Sequence, residues 1–162
     1  MADVYIMCGC PGSGKSTWLK NHVKPGSAVI SRDAIRFSLL KEGDGYFDKE
    51  TEVCYMLWDQ INGALSDGRD VFVDQTSLTK KSRKYLLSHI FGYNKANAIW
   101  IDTDLETALE RNELRKNTKA YVPRGQVRRM YFQFQEPSFD EGFFRIFKYK
   151  DGKMTMKERS DI

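Results

Sequence analysis

The sequence is poor in the residues that staple or anchor a chain. Its 162 residues include three cysteines, Cys8, Cys10 and Cys54. An odd and sparse set does not make a disulfide framework. Cys8 and Cys10 form C-x-C, not the C-x-x-C of a zinc site, and no second Cys/His pair follows. Cys8, in an apolar run, is expected to be buried, and Cys10, inside a glycine loop, to be an accessible thiol. No apolar stretch approaches the roughly 20 residues of a membrane span. The apolar run at the N-terminus is short, starts after Asp3 and leads straight into glycines, unlike a secretory leader. These absences point to a soluble cytoplasmic protein with no membrane partner.

What is present is ordinary for a globular chain: 41% apolar and 30% charged residues, with a net charge of +4. The length suits one domain, residues 1–162, large enough for a real core. The mild positive charge fits an anionic ligand but does not specify one. No repeat, low-complexity tract or linker interrupts the chain.

Apolar and amphipathic stretches alternate. "VYIMC", "SAVIS", "VFVD" and "ANAIWID" read as strands. Between and after them, helices are expected from Ser16, in "RDAIRFSLLKEG", in "SRKYLLSHIF", in "LETALERNELRKN" and, after Pro123, in "RGQVRRMYFQFQ". From Glu50 to Leu65, Val53, Leu57, Ile61 and Ala64 recur at helical spacing. Near the end, two strand-like runs flank Asp151-Gly152, a hairpin signature that predicts an antiparallel edge. The whole argues an α/β fold with a mostly parallel sheet sandwiched between helices, its ligand loops at the carboxyl ends of the strands.

The first of those loops carries a motif. Gly9-Cys10-Pro11-Gly12-Ser13-Gly14-Lys15-Ser16-Thr17 contains G-x-x-x-x-G-K-[ST] in full, after a strand and before a helix. The glycines let backbone N–H groups close on phosphate oxygens, and the helix dipole favours the same anion. Lys15 reaches the β- and γ-phosphates, and the Ser16 hydroxyl is a Mg²⁺ ligand. ATP with Mg²⁺ is the expected occupant.

Three further groups stand out, the first two near strand ends. Asp33 and Arg36 are three apart and share a face, although Asp33 alone reads most simply as a helix cap. Asp74 ends the third strand, as a possible neighbour of Mg²⁺, an arginine partner or another cap. Arg111, Arg115, Lys116 and Lys119 crowd one segment, which as a charge run reads as a solvated helical face; yet Arg111 and Arg115, four apart, suit a basic lid over an anion at about residues 111–122. "NKAN" at 94–97 resembles a guanine-reading motif but ends in Asn97 and precedes a strand, so a GTPase is excluded. Arg124, Arg128 and Arg129 mixed with Tyr131, Phe132 and Phe134 could bind single strands, or could form a helix covering the sheet.

In this order and spacing, "GCPGSGKSTW", "SRDAIR", "DQTSL" and "RNELRKNTKAYVP" resemble the 5′-kinase domain of phage-type polynucleotide kinases, over about Val4 to Met130. The resemblance implies a P-loop kinase moving the γ-phosphate of ATP to a 5′-hydroxyl end of nucleic acid. Lys15 and Ser16 would hold phosphates and Mg²⁺, and Asp33 would be the general base. Arg36 would bind the neighbouring 3′-phosphate, with Asp74 orienting it. Arg111 and Arg115 would contact donor phosphates. Thr76 matches a third-strand acceptor residue with its alignment open by one position. Ala34 stands where the family often has a second acid, no D-x-D-x-T phosphatase motif follows, and the tail from Asp151 has no counterpart. A small-molecule kinase of the same fold, acting on a sugar or nucleoside, is the rival reading; a module that binds nucleic acid and uses ATP only structurally is the third.

Overall fold

A computed structural model describes residues 1–160. Strands β1 (Val4–Cys8), β2 (Ala28–Ser31), β3 (Val71–Asp74), β4 (Ala96–Ile101), β5 (Arg145–Lys150) and β6 (Lys153–Glu158) form one sheet in the order β2-β3-β1-β4-β5-β6. All neighbours are parallel except the last pair, β5 and β6. Among the described residues six α-helices accompany them: α1 (Lys15–His22), α2 (Arg32–Leu39), α3 (Glu50–Ser66), α4 (Lys80–Ser88), α5 (Leu105–Glu113) and α6 (Arg124–Gln133). The expected α/β architecture is therefore present.

Side chains alternate across β1, and each face has its own cover. Val4, Ile6 and Cys8 join Val71, Val73 and Ile30 under Val53, Leu57, Ile61 and Leu65 of α3. On the other face Met7, Phe72, Ile99 and Ile101 meet Trp18 and Leu19 of α1. Burying each large apolar side chain contributes about 1.5–3 kcal/mol, so α3 with four fully covered residues is a principal clamp. Leu65, not Ala64, completes its buried stripe. The flanking strands are less covered: Val29 on edge strand β2 is exposed, and β5 is half-buried from Arg145 to Tyr149.

Several boundaries differ from the sequence expectation. The α1 helix begins at Lys15, with Gly14 in a left-handed conformation before it. The helix read through Asn117 stops at Glu113, and Asn117 takes φ 76, which no helix accommodates. The Asp-Gly turn has φ 50 at Asp151 and φ 76 at Gly152, the two positive values that a tight hairpin of this kind requires. The tail with no counterpart is thus an added edge strand through Glu158, exposed along its length; residues 161 and 162 lie outside the described residues. The α6 helix buries only Val127 and packs on α5, and just past its end the Phe134 ring meets that of Trp100 on β4 at 5.4 Å, so the stretch touches the sheet at its C-terminal end. Among the described residues, no helix is long and apolar enough to cross a membrane.

Candidate functional site

Because β1, β2, β3 and β4 run parallel, their carboxyl ends gather the loops that follow them on one edge. Register sets Ser31 level with Asp74 and Cys8 level with Trp100. The glycine loop leaves β1 at the centre of this edge.

Within the loop, Gly12 and Gly14 have φ 81 and φ 103. A Cβ on Gly12 would lie 2.3 Å from the Ala108 carbonyl oxygen, and one on Gly14 would lie 2.9 Å from Arg111 Nη1. Glycine is required here for close approach as well as for conformation. Lys15 is buried and donates from Nζ to the carbonyls of Gly9 (2.9 Å) and Cys10 (3.0 Å). Burial pushes its pKa down, although the Asp74 charge opposes the shift. An ammonium so desolvated gains more from an anion than one in water. Cys10 is 4% exposed, and burial raises its thiol pKa, so the expected accessible thiol is corrected: the loop folds over it. Cys8 is fully buried, its thiol pushed up to about 12 by desolvation. Pro11 and Ser13 are also covered, whereas Ser16 and Thr17, in the first turn of α1, are exposed.

The Ser16 hydroxyl donates to Asp74 Oδ2 at 3.0 Å. Asp74 therefore meets the phosphate loop and not Arg36, which takes its orientation from Glu50. Arg36 Nε donates to Glu50 Oε1 at 2.7 Å, and its Nη1 donates to the Tyr46 hydroxyl at 2.7 Å and to the Asp33 carboxylate. Tyr46 donates in turn to Asp33 at 2.9 Å, and the guanidinium lies 4.2 Å from the centre of its ring. Burial and the adjacent Asp33 charge push the Tyr46 phenol up to about 12. Burial works against the charge of Glu50, yet hydrogen bonds from Arg36 and Arg32 hold its carboxyl below the usual range.

Asp33 does not cap its helix. Ser31 does, accepting from the Ala34 amide at 3.1 Å, which leaves the Asp33 carboxylate half exposed beside the buried Arg36. Thr76 sits on the adjoining β3–α4 loop, and its carbonyl accepts from the Gly9 amide at 3.0 Å. The two loops are thereby fixed to each other.

Arg111 and Arg115 both border a cleft of about 790 Å³ beside the glycine loop, with Thr17, Trp18, Tyr149 and the turn at Asp151 and Gly152 on its walls. Arg111 Nη1 donates to the Ser13 carbonyl at 2.9 Å. The lid between α5 and α6 is an irregular loop, not helix, pinned at its neck by the buried Asn112. That side chain donates to the Val122 carbonyl at 2.6 Å and accepts from the Val122 amide at 3.1 Å. Tyr46, Glu50 and Asn112 were not singled out by motif; only the Asn next to Arg111 in "RNELRKNTKAYVP" offered a signal.

A strand-to-helix glycine loop with Lys15 and Ser16, an acidic residue at the end of the next strand but one, and arginines beside the loop define a P-loop nucleotide site of the kinase-like fold. The chain belongs to the AAA domain family, whose model matches residues 4–137. Among solved structures, a chain of the Pnkp1/Rnl/Hen1 RNA repair complex superimposes with TM-score 0.72 at 19% identity over 82% of this chain and 43% of that one. A sugar kinase from Janibacter sp. matches at TM-score 0.61 and 17% identity, over 91% and 85%. Kti12 from Chaetomium thermophilum, in complex with ADP-AlF3, matches at 0.59 and 15% identity, over 90% and 88%. The present chain spans less than half the length of the repair-complex chain. At these identities the likeness is one of fold.

Proposed function

We propose that this protein transfers the γ-phosphate of ATP to a 5′-hydroxyl end of DNA or RNA, in the cytoplasm, as a one-domain kinase. The observation that carries the reading is the pair formed by the Asp33 carboxylate and the buried Arg36 at the end of β2. A hydroxyl that neighbours a phosphate fits such a pair, the carboxylate for the proton and the guanidinium for the phosphate. The likeness to a chain of an RNA repair complex supports it.

The residues present suit the donor. The Gly12 and Gly14 cradle has no room for side chains, and the Trp18 indole nitrogen, buried with no partner, belongs to a residue of the 790 Å³ cleft. Ser16 and Asp74 supply the hard oxygen donors that Mg²⁺ prefers. When bound, Mg²⁺ neutralises phosphate charge. Lys15, Arg111 and Arg115 add the fixed positive charge that stabilises transfer. Asp33 accepts the proton of the acceptor hydroxyl as its oxygen bonds to the terminal phosphorus; the bond from that phosphorus to the bridging oxygen breaks, and ADP leaves with the electron pair. Arg36 positions the acceptor, and Glu50 and Tyr46 position Arg36.

The test incubates γ-labelled ATP and Mg²⁺ with a 5′-hydroxyl oligonucleotide and a 5′-phosphate control. Label is expected on the first alone. Lys15→Ala and Arg115→Ala should abolish it, and Asp33→Asn should lower kcat by 10²-fold or more, the scale of general base catalysis, without weakening ATP binding. Full activity in Lys15→Ala or Arg115→Ala would sink the assignment. A second reading, a small-molecule kinase, is favoured by the sugar kinase that matches over more than four-fifths of both chains. Label on a sugar or nucleoside but on no oligonucleotide would select it.

A further inference from the structure

A second cleft opens beyond the Asp33 and Arg36 pair, between α3 and α4 under the β3–α4 loop. Its volume is about 340 Å³, within the range of roughly 300–1,000 Å³ typical of small-molecule sites. Glu50 leads into it: one carboxylate oxygen accepts from Arg36 and the other from Arg32 Nη2 at 2.9 Å, and Arg32 lines the cleft. The cleft thus begins one side chain away from the residue that seats the acceptor phosphate.

Its interior has an unmet need. Ser77 is 4% exposed and lines the cleft, and its Oγ has no hydrogen-bond partner. Native proteins leave few buried hydroxyls so. Ser77 also holds φ 48, an uncommon conformation for serine. It is kept there by Arg83, wholly buried, which donates to the Ser77 carbonyl at 2.7 Å. Strained and firmly held residues of this kind gather at ligand sites.

The side wall is aromatic. Trp58 and Tyr85 meet at 5.9 Å, and Trp58 is stacked on His89 at 4.0 Å, which fixes its plane. Tyr85 is more than half exposed. Arg32, which also lines the cleft, supplies a guanidinium beside the rings. Aromatic rings beside a guanidinium offer what single-stranded nucleic acid uses: stacking for bases and a cation for the backbone.

We propose that this cleft is an acceptor subsite that seats the base of the second nucleotide, the one following the reacting 5′ end, stacked against Trp58 and Tyr85 with its edge on Ser77 Oγ. The inference rests on the polynucleotide reading above. It makes the enzyme a reader of two nucleotides and not of a lone terminal sugar.

Steady-state kinetics on two 5′-hydroxyl oligonucleotides test it: one intact, one lacking only the second base. Wild type should show a KM about tenfold higher for the abasic strand, the worth of one base–aromatic stack, with kcat and the KM for ATP unchanged. Trp58→Ala and Tyr85→Ala should raise the KM for the intact strand to that same level and abolish the difference. Ser77→Ala removes a hydroxyl with no protein partner, so it should fold normally and raise the intact-strand KM roughly three- to tenfold, the worth of one hydrogen bond. A wild type indifferent to the missing base, or variants that keep the full difference, would overturn the subsite while leaving the kinase reading intact. Sensitivity to loss of the first base instead of the second would overturn it too, by giving the cleft to the reacting nucleotide. A wild type that phosphorylates neither strand would bring down the polynucleotide reading and the subsite together.

Discussion

Arg83 holds the β3–α4 loop in place, and its removal can be followed from geometry to stability. Neither it nor Glu141 exposes any side-chain surface. Arg83 Nε donates to Glu141 Oε1 at 2.6 Å and Nη2 to Oε2 at 3.2 Å, a bidentate pair. The same guanidinium also serves the carbonyls of Ser77 and Gln135, at 2.7 and 2.9 Å. Arg83→Met keeps much of the bulk but strands a buried carboxylate and leaves two carbonyls short of a donor. Breaking such a pair from one side costs about 3–5 kcal/mol, a large part of the roughly 5–15 kcal/mol that holds a domain. At about 2–4 °C per kcal/mol for a chain of this size, the melting temperature should fall by roughly 6–20 °C. Far-UV circular dichroism on heating, with urea titration alongside, reads this directly. The companion experiment is Arg83→Met with Glu141→Gln, which leaves no orphan charge. The double variant should be more stable than the sum of the two single losses predicts, by about 1 kcal/mol or more. A single loss below about 1 kcal/mol, or strict additivity, would refute the claim that the pair is desolvated and shared among three segments.

Two further outcomes are expected. Gly12→Ala places a methyl against the Ala108 carbonyl at a φ of 81, so it should lose stability by more than about 1 kcal/mol and weaken nucleotide binding; a melt and an ATP titration that both match wild type would contradict the cradle. Glu50 has a folded pKa below its ordinary 4.5, so its ion pairs stabilise the fold fully above about that pH and are lost as pH falls through the lower folded value. Glu50→Gln should therefore flatten the fall in stability below pH 4.5, measured by urea unfolding from pH 6 to pH 3, and an unchanged slope would dismiss the role given to it.

The sequence made the nucleotide side legible because its signals are local. The strand, glycine loop and helix from Val4 to His22 occupy one continuous stretch, and the conformations of Gly12 and Gly14 follow from residue type alone. The Asp151-Gly152 hairpin was readable for the same reason. Long-range choices were hidden. Ser31 and Asp33 are both good caps, and only the strand ending at Ser31 decides between them. Asp74 is equally able to serve an arginine or a hydroxyl; the register of β3 against β1 brings it to Ser16. Glu50 lies fourteen residues from Arg36, and Glu141 fifty-eight from Arg83, so no periodicity links them. The lid helix was overextended because its polar repeat continues past the point where Asn112 captures Val122 and turns the chain away.

The strand order has a bearing on how such enzymes diverge. The central β1 divides the carboxyl edge in two, and the chain visits the halves in turn: β2 through α4 on one side, then β4 through β6 on the other. Residues 28–88 therefore supply Asp33, Arg36, Glu50 and Ser77 as one uninterrupted stretch of gene, together with Asp74 beside the phosphate loop, while Lys15 and Ser16 are encoded before it and Arg111 and Arg115 after it. Recombination at two points, in the turns before Ala28 and after Ser88, would exchange what receives the phosphate and, where the incoming segment keeps an acid in place of Asp74, leave its supply intact. A fold wired in this order can acquire new acceptors by inheriting a single segment.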